Sequence, residues 1–306
     1  MAEPFVVRGV QAQVAGNHQV AIVSFRAALL RDGRSVPARY FLAEQYFQRG
    51  DAGSALKEVA TLARMVPGGV DNMAPYIASY AKDPRTRRQM LALFRLDPRI
   101  EQAALTVLAA DPANADLVLS LATASGGPPS WSARLLESLV GAGQYAKARA
   151  VWATTFRVAP SPELLFDAKF KRGDIPGPFN WTLASSALGL AERQPGGRLH
   201  VIYYGQDDGA LATQLLLLKP GRYRLSMQAS GDPSHARSLI WTLTCAASNS
   251  LLLSLPLAVS NPGAVFEVPQ HCEGQYLQLV GHSPDLPQQA DVTISGLSLS
   301  EEHPSG

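Results

Sequence analysis

Cysteine is nearly absent, with only Cys245 and Cys272 among 306 residues. They form no Cys-x-x-Cys pair, and His271 beside Cys272 leaves too few ligands for a zinc site, so no metal is expected. Both stand at strand ends beside polar turn residues, Ala246-Ala247-Ser248-Asn249 in one case and Gln270-His271 in the other. A structural disulfide and two buried thiols compete as readings, and the turn placement favours the disulfide. A bridge would put the chain in an oxidising compartment, periplasmic or extracellular.

Long apolar runs are also lacking. The richest, Leu215 to Leu218 and Leu251 to Val259, are broken by Lys219, Ser254 and Pro256. Neither approaches the ~18 residues that would cross a bilayer. The opening Met1-Ala2-Glu3-Pro4 has neither the basic nor the apolar region of a signal peptide. Either the chain is cytosolic, or an export signal or anchor has been trimmed from it; a start almost on a repeat boundary fits trimming.

Charge is sparse, at 17% of residues and a net +2. The balance is uneven: residues 1–175 hold 21 basic and 15 acidic side chains, residues 176–306 hold 6 and 10. Arg85, Arg87, Arg88, Arg95 and Arg99 form a basic cluster that reads first as a solvated helix face, the alternatives being a surface for an acidic partner, an anionic polysaccharide or a membrane. Nucleic-acid binding needs a stronger basic excess with aromatics or a reading motif, and is not expected.

Catalytic signatures are missing as well. No GxSxG elbow, P-loop, HExxH or dinucleotide-binding glycine pattern occurs, and the six histidines are scattered. Asp208, Glu267 and Asp291 carry carboxylates, but nothing in their spacing suggests the facing pair of a glycosidase. A non-enzymatic protein without a cofactor is the expectation.

What is present is an internal repeat at a constant offset, pairing Gly16 with Gly50, Ala21 with Ala55, Phe25 with Val59 and Ala28 with Leu62. The offset is the period of helix-turn-helix repeats. Each unit reads as two antiparallel helices: glycine for the tight turn, alanine where backbones approach, larger residues toward the next unit. Leu42, Ala43, Tyr46, Gly50, Ala55, Val59, Leu62 and Pro67 resemble the tetratricopeptide repeat, and Leu135, Leu136, Leu139, Gly143, Tyr145, Ala148, Trp152 and Pro160 follow the same spacing. Between them Asp83-Pro84, Asp97-Pro98 and Asp111-Pro112 recur at equal intervals, each ending one helix and starting another. The resemblance implies an α-solenoid over residues 1–172 whose concave face binds a protein partner. Tyr46 and Trp152 sit at motif positions and are expected in the core.

Residues 173–178, Gly173-Asp174-Ile175-Pro176-Gly177-Pro178, read as a linker, after which helical periodicity gives way to alternation. About nine short strands separated by turn residues imply an antiparallel β-sandwich over residues 179–306. They are expected at 179–184, 198–204, 211–218, 222–229, 239–245, 251–258, 264–268, 275–280 and 292–300. The segments Phe179-Asn180-Trp181, Leu218-Lys219-Pro220-Gly221-Arg222-Tyr223 and Val292-Thr293-Ile294-Ser295-Gly296-Leu297-Ser298-Leu299 resemble the jelly-roll frame of carbohydrate-binding modules and related galactose-binding-like domains.

That resemblance implies sugars stacked on aromatic rings with amides and charged groups binding hydroxyls. Trp181, Tyr203, Tyr204, Trp241 and Tyr276 are the aromatic candidates. Asn180, Gln206, Asp207, Asp208, Arg224 and Gln278 are the polar ones. Alternation puts Trp241 with Leu239 and Leu243 in the core and sends Tyr203 and Tyr204 to opposite faces, which leaves Tyr204 as the leading contact. The implied function is a cell-envelope adaptor joining a protein partner to a polysaccharide, as in polysaccharide synthesis or export. The alternative is a protein-assembly scaffold whose sandwich is only structural.

Overall fold

The computed structural model describes residues 1–123, 129–231, 236–257, 263–283 and 288–302. They form two compact units, Met1–Ser138 and Leu139–Gly306. Ten α-helices come first among the described residues: α1 (Glu3–Val14), α2 (His18–Arg31), α3 (Val36–Gln48), α4 (Ala52–Met65), α5 (Gly69–Ala81), α6 (Arg87–Leu96), α7 (Pro98–Ala109), α8 (Ala115–Leu121), α9 (Ser130–Gly141) and α10 (Tyr145–Thr155).

The repeat in the sequence is a repeat of hairpin chemistry. Gly16, Gly50 and Gly143 each close a helix–helix turn at φ +72, +74 and +72, backbone that side chains with a Cβ avoid. The residue after the first two glycines caps the next helix: Asn17 Oδ1 accepts from Val20 N at 3.2 Å and Asp51 Oδ1 from Ser54 N at 3.1 Å. The paired alanines Ala21 and Ala55 have no exposed surface, so α1/α2 and α3/α4 pack closely. Tyr46 is buried and its hydroxyl accepts from Arg26 Nε at 2.9 Å.

The Asp-Pro pairs share one device. Asp83, Asp97 and Asp111 Oδ1 accept from Arg85 N, Arg99 N and Ala113 N at 2.9, 3.2 and 3.0 Å. Proline beyond each aspartate occupies a first-turn position where its missing N–H costs nothing. Asp83 and Asp111 thereby start short 3-10 turns, Pro84–Thr86 and Pro112–Asn114, and Asp97 starts α7 directly.

Eleven strands follow among the described residues: β1 (Thr182–Leu183), β2 (Ser185–Ser186), β3 (Gly189–Gln194), β4 (Arg198–Tyr203), β5 (Gly209–Leu216), β6 (Gly221–Gly231), β7 (Leu239–Cys245), β8 (Leu251–Pro256), β9 (Ala264–Val268), β10 (Gln275–Gly281) and β11 (Ala290–Glu301). One sheet runs β1-β5-β10-β7-β8 and the other β2-β3-β4-β11-β6-β9, with antiparallel pairing throughout. The chain is therefore a set of helical hairpins followed by a two-sheet sandwich. Alternation in β6 and β7 buries Tyr223, Leu225, Met227 and Ala229 on one strand and Leu239, Trp241, Leu243 and Cys245 on the other.

Two strands escape the sequence pattern. β3 turns Gly189 and Ala191 inward, residues with too little side chain to register as apolar alternation. β2 has only two serines. The end of the 251–258 segment, Ala258, lies outside the described residues.

The sequence places a linker at 173–178, whereas the compact units divide at Ser138/Leu139, so α10 belongs to the second unit. Trp152 of α10 is fully buried, 5.7 Å from the Phe179 ring and 5.1 Å from Phe166, and its Nε1 donates to Pro176 O at 2.8 Å. The turn-rich stretch is thus pinned by an indole and by Asn180 Nδ2, which donates to Arg172 O and Ile175 O at 2.6 and 2.5 Å. Cys245, at the end of β7, is bridged to Cys272 with a Cα–Cα distance of 5.5 Å. Beside the bridge, fully buried Gln275 completes the sheet with its amide, which accepts from Leu218 N and donates to Cys272 O at 2.8 and 2.5 Å.

Candidate functional site

Within the helical unit, α3 and α5 border a groove of about 470 Å³ floored by Val59 and Leu62 of α4. On α3 the lining residues Tyr40, Glu44, Phe47 and Gln48 recur at helical spacing, and on α5 Met73, Tyr76 and Tyr80 do the same. Tyr40 and Tyr76 are 47% and 54% exposed, an unusual amount for aromatic rings beside an apolar floor. Phe47 and Tyr80 stack at the groove's side, and burial pushes the Tyr80 hydroxyl's pKa up. Glu44 brings a carboxylate to the lining. Gln13 Nε2 and Gln48 Nε2 donate to it at 3.0 and 3.5 Å, which fixes its position.

The groove thus offers an apolar floor, and its tyrosines offer contact area at low entropic cost. Tyr76 and Tyr80 are visible in the sequence as part of a helical pattern, but nothing in the sequence says that they face α3.

In the sandwich, Trp241 is in the core as alternation requires, and Trp181 and Asn180 are core residues too, which corrects the expectation that they contact sugar. Trp181 is 3% exposed; its ring lies 5.8 Å from Trp241 and 5.3 Å from Phe170, and its Nε1 donates to Asp167 O at 3.1 Å. Asn180 has no exposed surface, and its Oδ1 accepts from Trp181 N at 2.7 Å. A tryptophan just before a short edge strand gains more from the sheet interior than from water, and the adjacent amide satisfies the turn it enters through.

The Tyr203/Tyr204 pair divides between interior and solvent. Tyr203 is fully buried and donates to Asp207 O at 3.0 Å, while Tyr204 is 40% exposed. Gln206 and Asp207 are exposed beside it. Asp208 is occupied: Ser283 N and His282 Nδ1 donate to its carboxylate at 2.7 and 3.0 Å, holding its pKa below the usual carboxylate range. Ser283 Oγ also donates to Gly205 O at 3.0 Å.

Arg224 lies elsewhere. It pairs across β11 with Ser300, whereas Tyr203 pairs with Ala290, and ten positions along a strand correspond to roughly 30 Å. Its guanidinium is engaged with Glu302 at 2.7 Å. Arg224 and Tyr204 therefore cannot share one sugar. Among the described residues no cluster of three or more His, Cys, Asp or Glu could hold a metal ion.

The outer face of the five-stranded sheet carries a row of polar side chains. Thr182, Thr213, Gln278, Thr242 and Ser254 stand in register across all five strands, a row of roughly 19 Å at ~4.8 Å per strand. Gln278 Nε2 donates to Thr213 Oγ1 at 3.2 Å. Tyr276, two residues away on β10 and half-buried, shares this face. Burial, with the neighbouring Tyr145 hydroxyl second, pushes its pKa up. Tyr276 and Gln278 are among the sequence candidates, but the threonines and Ser254 are not, because their alignment depends on strand order.

No family model matches the chain, and no curated protein matches it. Among solved structures, a thermophilic TPR protein of Thermus thermophilus is 20% identical over 53% of this chain and 93% of its own, with a TM-score of 0.25. TmCBM61 in complex with β-1,4-galactotriose is 12% identical over 46% of this chain and 100% of its own, with a TM-score of 0.30. Accessory secretory proteins 1, 2 and 3 of Streptococcus pneumoniae are 13% identical over 48% of this chain and 99% of theirs, with a TM-score of 0.32. Likenesses this distant say nothing of what this chain binds; its architecture rests on its own helices and strand registers.

Proposed function

We propose that the chain is a non-catalytic adaptor of the cell envelope, with helical hairpins that hold a segment of a partner protein and a sandwich that holds a polysaccharide. The observation that carries this reading is the α3/α5 groove, where the exposed rings of Tyr40 and Tyr76 flank an apolar floor beside the carboxylate of Glu44. Those features suit a peptide with an apolar anchor and a nearby basic residue. The polar row from Thr182 to Ser254, with Tyr276 beside it, supports the polysaccharide half, because ring stacking and hydroxyl hydrogen bonds are both on offer. The disulfide fits an oxidising compartment, and a place in polysaccharide synthesis or export would use both surfaces at once.

The test is a peptide array and a glycan array probed with the full chain. Peptide binding should be lost in Tyr76→Ala, and glycan binding in Gln278→Ala combined with Thr242→Ala, each with an unchanged circular dichroism spectrum. Peptide binding without glycan binding would leave a protein-assembly scaffold in place of the adaptor. Tyr204→Ala separates the sheet face from the end loop.

A further inference from the structure

Arg149, on α10, is a half-buried cation with no acid paired to it among the described residues. Its guanidinium carbon lies 4.6 Å from the centre of the Trp152 ring, 5.3 Å from Phe179 and 5.8 Å from Phe166. Burial pushes its pKa down, and no described carboxylate offsets that. Three other arginines of this unit are matched: Arg172 with Asp174, Arg193 with Asp167 and Arg224 with Glu302. Rings on its faces stabilise a guanidinium but leave its in-plane N–H groups uncommitted.

Arg149 lines a cavity of about 200 Å³ together with Phe166, Phe179, Glu163 and Gln214. Gln214, on β5, has no exposed surface. Its Nε2 donates to Phe166 O at 2.8 Å, while its Oε1 is buried with no hydrogen-bond partner among the described residues. An orphaned buried acceptor is uncommon in a folded protein and calls for an explanation. The cavity is thus lined by a cation with no ion pair, and by a residue whose buried acceptor has no donor, among the described residues. Glu163 is exposed at its rim.

We infer that this cavity is an acidic-sugar subsite, in which the carboxylate of a hexuronate pairs with Arg149 and a hydroxyl donates to Gln214 Oε1. Planar guanidinium and carboxylate match in bidentate geometry, and the pair is strengthened because the site is partly desolvated. The cavity's volume of about 200 Å³ leaves room for one sugar ring. The subsite deepens the reading of the sandwich as a polysaccharide binder by naming an acidic polymer. Gln214, its buried acceptor, alternates on β5 with Thr213 of the threonine row and so belongs to the opposite face of the strand.

Calorimetry on the full chain tests it, with oligomers of galacturonate and glucuronate against the matching neutral oligomers, acetate and an N-acetylated dipeptide. The acidic oligomers should bind at least tenfold more tightly than the neutral ones and weaken as salt is raised. Arg149→Met should abolish that preference, Gln214→Leu should reduce it several-fold, and Glu163→Gln, which removes a repelling rim charge, should strengthen it. The comparison of ligands on the unmodified chain stands even where a variant fails to fold. Equal binding of acidic and neutral oligomers, no binding of either acid, or tighter binding of acetate or the dipeptide would overturn the inference. Neutral glycans still held by Arg149→Met would show that the polysaccharide reading survives the loss of this subsite.

Discussion

The Phe47 and Tyr80 rings stack with centroids 3.6 Å apart and planes 7° from parallel, joining α3 to α5, the helices that border the groove. A stacked pair contributes beyond simple burial, by roughly 0.5–1.5 kcal/mol in double-mutant cycles. Phe47→Leu, Tyr80→Leu and the double variant, compared by urea denaturation, should show a coupling of that size. Additive losses would mean that the rings only fill space.

Asn180→Ala should destabilise the second unit by about 1–3 kcal/mol, because the carbonyls of Arg172 and Ile175 and the N–H of Trp181 lose their partner. Tyr204→Ala, at an exposed ring, should change stability by less than about 0.5 kcal/mol. Thermal denaturation of the two variants distinguishes a structural amide from an accessible aromatic.

His200 sits between two carboxylates on the outer face of the six-stranded sheet, with Nε2 2.8 Å from Asp291 Oδ1 and Nδ1 3.2 Å from Glu192 Oε1. The hydrogen bond with Asp291, then that with Glu192, holds its pKa above the ordinary 6.5. A folded-state pKa above the unfolded one contributes stability that is complete below the unfolded value and lost as pH rises through the folded value. Denaturation midpoints should therefore fall from just above pH 6.5 upward, and His200→Gln should remove that slope.

The Cys245–Cys272 bridge closes a separation of 27 residues. A loop of that length corresponds to about 3.5 kcal/mol of unfolded-state entropy at 25 °C. Cys245→Ser with Cys272→Ser, or reduction, should lower stability by about that amount. Because Gln275 donates to Cys272 O, Gln275→Leu should weaken the same corner even when the bridge is intact.

Periodicity alone carried a large part of the architecture. Gly16 and Gly50, each followed by a capping residue, and the evenly spaced Asp-Pro pairs describe local events, and local events are written in neighbouring residues. Strand alternation behaves likewise, which is why the core face of β7 and the division between Tyr203 and Tyr204 were legible. β3 was not, because its inward residues are glycine and alanine.

The candidate surfaces depended on the tertiary structure. Trp181 and Asn180 have the composition of a sugar site, but their direction is set by a turn held from Arg172 and Ile175, and they became core. Thr182, Thr213, Gln278, Thr242 and Ser254 are scattered in the sequence and form a row only because β1, β5, β10, β7 and β8 neighbour one another in that order. Arg149, Phe166, Phe179 and Gln214 meet because α10 packs into the second unit. The sequence by itself determined where the helical hairpins and, β2 and β3 apart, the strands lie, since those depend on local period. Which outward residues stand together was decided by strand order and helix packing, which join residues far apart along the chain.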